Sequence, residues 1–181
     1  MSNGGTYVFD LETKKLASEV GGWSHIDALG LSAAVLLHVE TGEVLRFTEE
    51  DADALIDRLV EADSVVGYNI IRFDYTVLKP YGFLPTRERI ATTVDLLDHI
   101  YNALGFRLKL DDAAATTLGA QKSADGLAAV AWYKAGEIER ILDYCEQDVR
   151  VTHDLWKFGC TNGFIYYTDR MNRRRQVRVS W

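Results

Sequence analysis

The run over residues 29–39, aliphatic almost throughout, stops at the turn signal Glu40-Thr41-Gly42, and Val44-Leu45-Arg46-Phe47 then resumes in alternation. Two such runs joined by a turn containing glycine read as an antiparallel hairpin. With the shorter apolar run Tyr7-Val8-Phe9 ahead of them, three strands are predicted to open the fold. Thr48 followed by Glu49, Glu50 and Asp51 supplies a helix start, and Leu55, Ile56, Leu59 and Val60 recur at helical spacing. Ser64-Val65-Val66-Gly67-Tyr68-Asn69 reads as a short buried strand. A helical stretch over 73–78 follows, broken by Pro80, Gly82 and Pro85. Residues 89–97 are predicted as a further strand running into a helix. Beyond His99 the chain is mostly helical, with a weaker link over 118–125 and a strong amphipathic helix over about 137–157. Strands first, then strands alternating with helices, predict an α/β fold: a mixed β-sheet flanked by helices.

With 181 residues, 48% hydrophobic and 26% charged, the chain has the apolar mass for one domain and is cramped for two. Residues 1–160 are expected to form its core and 161–181 a C-terminal basic hairpin extension. No run approaches the roughly 18 to 20 apolar residues that span a bilayer, and the N-terminus lacks the basic patch and apolar stretch of a signal peptide. A cytoplasmic protein without a membrane partner is expected. Cys145 and Cys160 form no CxxC pair, so reduced thiols are expected rather than a disulfide framework or a zinc site.

Four acids keep apolar company. Asp10 and Glu12 end the first apolar run two residues apart, so a strand places both on one face. Side by side they repel each other and lose solvation unless a cation lies between them, although the pair alone also fits a solvated strand end. Asp74 stands at a helix start between Phe73 and Tyr75, where it also suits the helix dipole. Tyr144 and Asp148, four apart, share one face of the late helix at the margin of the stripe Ile138, Ile141, Leu142, Cys145, Val149 and Thr152. Asp95 is either structural or at the border of the same region, and Asp111 and Asp112 look like helix capping.

The phrases FDLET, GYNIIRFD and YCEQDV occur in the order and spacing of the DEDD (DnaQ-like) 3′-to-5′ exonucleases. The chain resembles that superfamily from about Tyr7 to Trp156. The tyrosine four residues before the last aspartate resembles its tyrosine (DEDDy) branch; the histidine branch has histidine at the position of Asp143. The segments over 108–119 and 123–149 are also similar to bacterial ribonuclease H-like exonuclease domains that accompany helicases.

The resemblance implies a ribonuclease H-like fold and a metal-dependent exonuclease acting at the 3′ end of single-stranded DNA or RNA, with a helicase as possible partner. Asp10, Glu12, Asp74 and Asp148 would hold two Mg²⁺ or Mn²⁺ ions. Asp10 would bridge both, Glu12 and Asp148 would hold the ion that activates water, and Asp74 would serve the second. Tyr144 would orient the attacking water. Leu11, Thr13, Asn69 and Phe73 are expected against the substrate, Phe73 by stacking. A set of carboxylates suits these hard cations better than zinc. A feebly active nucleic-acid-binding module that accompanies a helicase, and an endonuclease of the same fold, are the alternatives.

The net charge of −7 argues against nonspecific coating of nucleic acid, yet residues 170–181 hold five arginines and no acid, leaving the rest of the chain at −12. Phe164-Ile165-Tyr166-Tyr167 and the alternation over 176–181 predict a C-terminal hairpin with Val177, Val179 and Trp181 on one face. It is expected either to close the sheet edge or to leave Arg178 and Arg173, Arg174 and Arg175 free for phosphates.

Overall fold

The computed structural model describes residues 4–120 and 126–181. The part of the expected link that falls on 121–125 lies outside the described residues. β1 (Thr6–Thr13) is the middle strand of a five-stranded sheet. Antiparallel to it runs β2 (Leu31–His38), and β3 (Val44–Thr48) pairs antiparallel with β2, the hairpin expected at Glu40-Thr41-Gly42. On its other side β1 pairs parallel with β4 (Ser64–Gly67), which stops two residues short of its expected end because Asn69 turns left-handed (φ 67°), and β4 pairs with β5 (Thr93–Asp95), giving the order β3-β2-β1-β4-β5. The crossover from β3 to β4 is α1 (Ala52–Glu61), led in by a 3-10 turn over Glu49–Asp51 that starts from a capping box between Thr48 and Asp51. Leu55 and Leu59 of α1 are buried, but Val60, expected in the apolar stripe, faces solvent.

Between β4 and β5 lie α2 (Asp74–Val77) and α3 (Arg87–Ala91). The expected strand over 89–97 is therefore three residues long, Thr93–Asp95. Thr86 caps α3 by accepting from Arg89 N, and Asp95 accepts from Leu97 N to open α4 (Leu96–Leu104), so helix signals close in from both sides. Then come α5 (Leu110–Leu118), α6 (Gly126–Lys134) and α7 (Ile138–Asn162). α7 runs five residues past its expected end and stops at Gly163, whose φ of 74° suits a residue without Cβ.

Strand alternation divides the core. Tyr7, Phe9 and Leu11 of β1 pack with Leu36, Leu55, Leu59 and Tyr75 on one face. Val8 packs on the other with Val35, Val66 and the α7 residues Ile141, Leu142, Cys145 and Val149. A third cluster joins Leu96 and Ile100 of α4, Ala113 of α5, Leu155 of α7 and two residues of the C-terminal hairpin, Ile165 and Val177.

That hairpin, β6 (Phe164–Thr168) with β7 (Arg174–Arg178), is a separate two-stranded sheet rather than a closure of the main sheet's edge. Its seat is built for it. A Cβ on Gly159 of α7 would collide with the indole of Trp181, whose Nε1 donates to Trp156 O at 2.9 Å. The two cysteines are free thiols, Cys145 buried and Cys160 exposed. Among the described residues no helix is long and apolar enough to cross a membrane.

Candidate metal centre

β1 carries its side-chain alternation past the core. Val8 faces α7, so Asp10 and Glu12, two and four residues on, emerge on the same side where the strand runs out of apolar cover. Above them α7 buries Cys145 and Val149 and brings Asp148, between the two, down onto the strand end. One ligand oxygen from each of Asp10, Glu12 and Asp148 lies within 4.8 Å of the others. Asp74, at the first turn of α2, stands beside this group, and its Oδ1 accepts from Leu11 N at 3.1 Å. All four acids line one cavity of about 580 Å³.

Lys15, at the rim, is the one basic residue of the described lining. Burial, then the charge of Asp148, pushes the Asp10 carboxyl well above the usual carboxylate range, opposed by the Cys145 thiol. Glu12 is pushed up by burial and then by Asp10, Asp148 and Asp74. Burial followed by Asp10 does the same to Asp74, against the pull of its own backbone amide and that of Leu11. Asp10, Glu12 and Asp74 are each disfavoured as anions by the same two causes, lost water and like charge. A divalent cation removes both at once. An all-carboxylate donor set fits a hard ion such as Mg²⁺ or Mn²⁺.

The other expected residues divide. Leu11, Thr13, Asn69 and Phe73 line the cavity. Asn69 is held in a left-handed turn (φ 67°), and its Oδ1 accepts from Arg107 Nη2 at 2.8 Å. Asp95 fixes that turn rather than facing the cavity: it is 2% exposed, and its carboxylate accepts from Asn69 N at 2.8 Å, Ile71 N at 3.0 Å and Leu97 N at 3.1 Å. Tyr144, placed by its spacing at the margin of the buried stripe, is 9% exposed. Its ring meets Trp132 edge-on at 5.8 Å, because α6 packs over that side of α7, and it is not part of the cavity lining.

The hairpin arginines are less free than expected. Arg173 and Arg175 each direct Nε to Asp169 Oδ2 at 3.0 Å, and Arg174 lies 3.6 Å over the ring of Tyr166. Asp169, one residue outside the acid-free tail, also accepts from Met171 N and Arg173 N, and these partners hold its carboxyl far below the ordinary range.

Two contributors were not picked out. Cys145 donates its thiol to Asp10 O at 3.3 Å and Asp10 Oδ2 at 3.5 Å, seating the carboxylate from beneath. Trp23, 67% exposed, stands on the cavity lip with its ring 6.4 Å from Phe73. Trp23 lies in a six-residue 3-10 segment between β1 and β2 with no periodicity to mark it. Cys145 sat in view within the apolar stripe, but the sequence does not show what a buried residue touches.

A mixed sheet with carboxylates converging at the end of its middle strand under a long helix defines the class: a ribonuclease H-like α/β fold with an acidic cluster suited to the metal site of a nuclease. The chain belongs to the RNase_H superfamily, whose family model matches residues 7–158. No curated protein matches it.

Proposed function

We propose that this protein is a divalent-metal-dependent 3′-to-5′ exonuclease of the tyrosine branch, hydrolysing phosphodiester bonds at the 3′ end of single-stranded nucleic acid. The observation that carries this reading is the approach of Asp10, Glu12 and Asp148 to within 4.8 Å at the floor of one cavity with Asp74 alongside. A fold gains nothing in stability from such a group of acids, and cations that it would hold give it a purpose.

Asp10, Glu12 and Asp148 are close enough to share one ion, and Asp10 and Asp74 would hold a second. Bound there, the pair supplies a water of lowered pKa and charge neutralisation on the attacked phosphate and the leaving oxygen. The residues of the chain do the rest. Cys145 fixes the carboxylate of Asp10, and the Leu11 amide fixes that of Asp74. Tyr144, one helical turn before Asp148, would position the attacking water through its hydroxyl once its ring turns from Trp132 towards the cavity. Leu11, Thr13, Asn69 and Phe73 receive the terminal nucleotide, Phe73 by stacking. Arg173, Arg174 and Arg175 attract the phosphates behind it. Residues 1–160 thus act as the catalytic core of a single domain and 161–181 as its basic extension. The resemblance of the segments over 108–119 and 123–149 makes a helicase the partner to test by co-purification.

The test is digestion of oligonucleotides of DNA and RNA, labelled at the 5′ or the 3′ end, with Mg²⁺, Mn²⁺ or chelator. The reading requires a ladder shortening from the 3′ end that depends on the ion and is abolished by Asp10→Ala or Asp148→Ala. Undiminished cleavage in chelator, or internal cuts on a substrate with a blocked 3′ end, would contradict it.

A further inference from the structure

The C-terminal hairpin lies outside the segment matched by the superfamily, yet it is coupled to the rim of the metal centre by the loop over 105–109. Two side chains of the rim grip that loop. Tyr68 Oη donates to Leu108 O at 2.7 Å, and Asn69 Oδ1 accepts from Arg107 Nη2 at 2.8 Å. Both Tyr68 and Asn69 line the cavity. On its far side the loop meets the hairpin, where the ring of Phe106 stands 6.0 Å from that of Tyr167. Tyr167 pairs across the hairpin with Arg175, which Asp169 holds in place. The cavity rim therefore continues, contact by contact, through Arg107 and Phe106 to Tyr167 and Arg175.

This strip has the chemistry of a single-strand path: cations for phosphates, interleaved with aromatic faces for bases. Phe106 is 43% exposed and the Arg175 side chain 47%, so both remain open to a ligand. The strip also answers a problem of charge. Outside residues 170–181 the chain stands at −12, which repels a polyphosphate, while those residues hold five arginines against the neighbouring Asp169.

We infer that Arg107, Phe106, Tyr167 and Arg175 form a track that carries the single strand behind its 3′ end from the cavity rim onto the hairpin. The inference rests on the exonuclease reading above and adds to it the direction in which the rest of the substrate leaves. Strands too short to reach beyond the cavity gain nothing from the track, and longer ones gain affinity that is sensitive to salt.

The test measures binding without turnover. Fluorescence anisotropy of labelled oligo(dT) and oligo(rU) is followed in chelator for the full chain, at lengths of about 4 and about 20 nucleotides that bracket the span of typical single-strand sites. Wild type is expected to bind the longer probes more tightly and with a steeper salt dependence. Arg107→Ala with Arg175→Ala should flatten that slope by about 0.7 for each lost phosphate contact. Phe106→Ala should weaken binding of the long probe about fivefold or more, leaving the short one unchanged.

Arg150→Ala, the same loss of charge on the outer face of α7, should leave the slope as in wild type. Arg175→Lys guards against misfolding, since it keeps the charge beside Asp169 and should retain most of the slope. Variants that bind long and short probes like wild type would overturn the track, as would equal losses with Arg150→Ala. If wild type binds along these residues yet hydrolyses neither polymer with Mg²⁺ or Mn²⁺, the exonuclease reading fails and the track stands.

Discussion

Asp10 is the residue on which the site turns. It contributes to the cluster with Glu12 and Asp148, raises the carboxyls of both Glu12 and Asp74, and is itself raised by burial and by Asp148. A carboxyl whose pKa is higher in the fold than in the unfolded chain binds its proton more tightly in the fold. Its contribution is fully present below the unfolded value, about 4, and is lost as the pH rises through the folded value. The metal-free protein is therefore expected to lose stability through these groups as pH rises above the ordinary carboxylate range. A cation that takes the place of the protons restores it, so the rise in Tm on adding Mn²⁺ should grow from pH 5.5 to pH 8 in a thermal scan. A metal-induced rise independent of pH would contradict the assignment. Tyr144→Phe removes one hydroxyl and should lower kcat by about 10²-fold or more with little change in KM, the pattern of a group used in the transition state. Equal kcat in the variant would leave Tyr144 as packing for Trp132. The four acids were legible because three short motifs share one order and spacing; the tuck of Tyr144 under α6 was not, because it depends on which helix covers α7.

The turn from β4 into α2 shows how one element is set by a residue far along the chain. Gly67 ends β4 with no room for a side chain, since a Cβ there would run into Ile70 and the carbonyl of Phe9. Asn69 then takes its left-handed conformation, which asparagine tolerates, and Asp95 accepts from two amides of the turn and from the start of α4. Asp95→Ala should leave those buried amides without an acceptor and cost about 2–4 kcal/mol, on the order of 5–15 °C in Tm for a chain of this size. A shift under about 1 °C would show that the turn holds itself. Most strands and helices were legible from periodicity, α3 excepted, and the hairpin of β2 and β3 fell where its turn residues put it. The strand expected over 89–97 shrank because Thr86 and Asp95 are capping residues whose effect exceeded the strand propensity of the threonines and valine between them.

At the scale of the molecule an acidic body meets a basic hairpin, and the two are joined by packing rather than by sheet pairing. Trp181 sits against Gly159 and Trp156, so the end of the chain is part of the core around α7. Gly159→Ala forces the indole out of its seat and should cost about 1–3 kcal/mol, measured by denaturant unfolding. An unchanged midpoint would place Trp181 outside the core. The basic tail and the hairpin were legible in the sequence, but the partners of its arginines were not, because Asp169 stands just before the acid-free window. Asp10, Glu12, Asp74 and Asp148 are proposed to form one metal centre. The most direct measurement is a Mn²⁺ titration of the protein near neutral pH, with free ion read by electron paramagnetic resonance, for wild type, Asp10→Asn and Asp148→Asn. Wild type is expected to hold two ions, both lost or greatly weakened in Asp10→Asn, and one weakened in Asp148→Asn. Equal binding by all three proteins would show that the acids do not act as a common site.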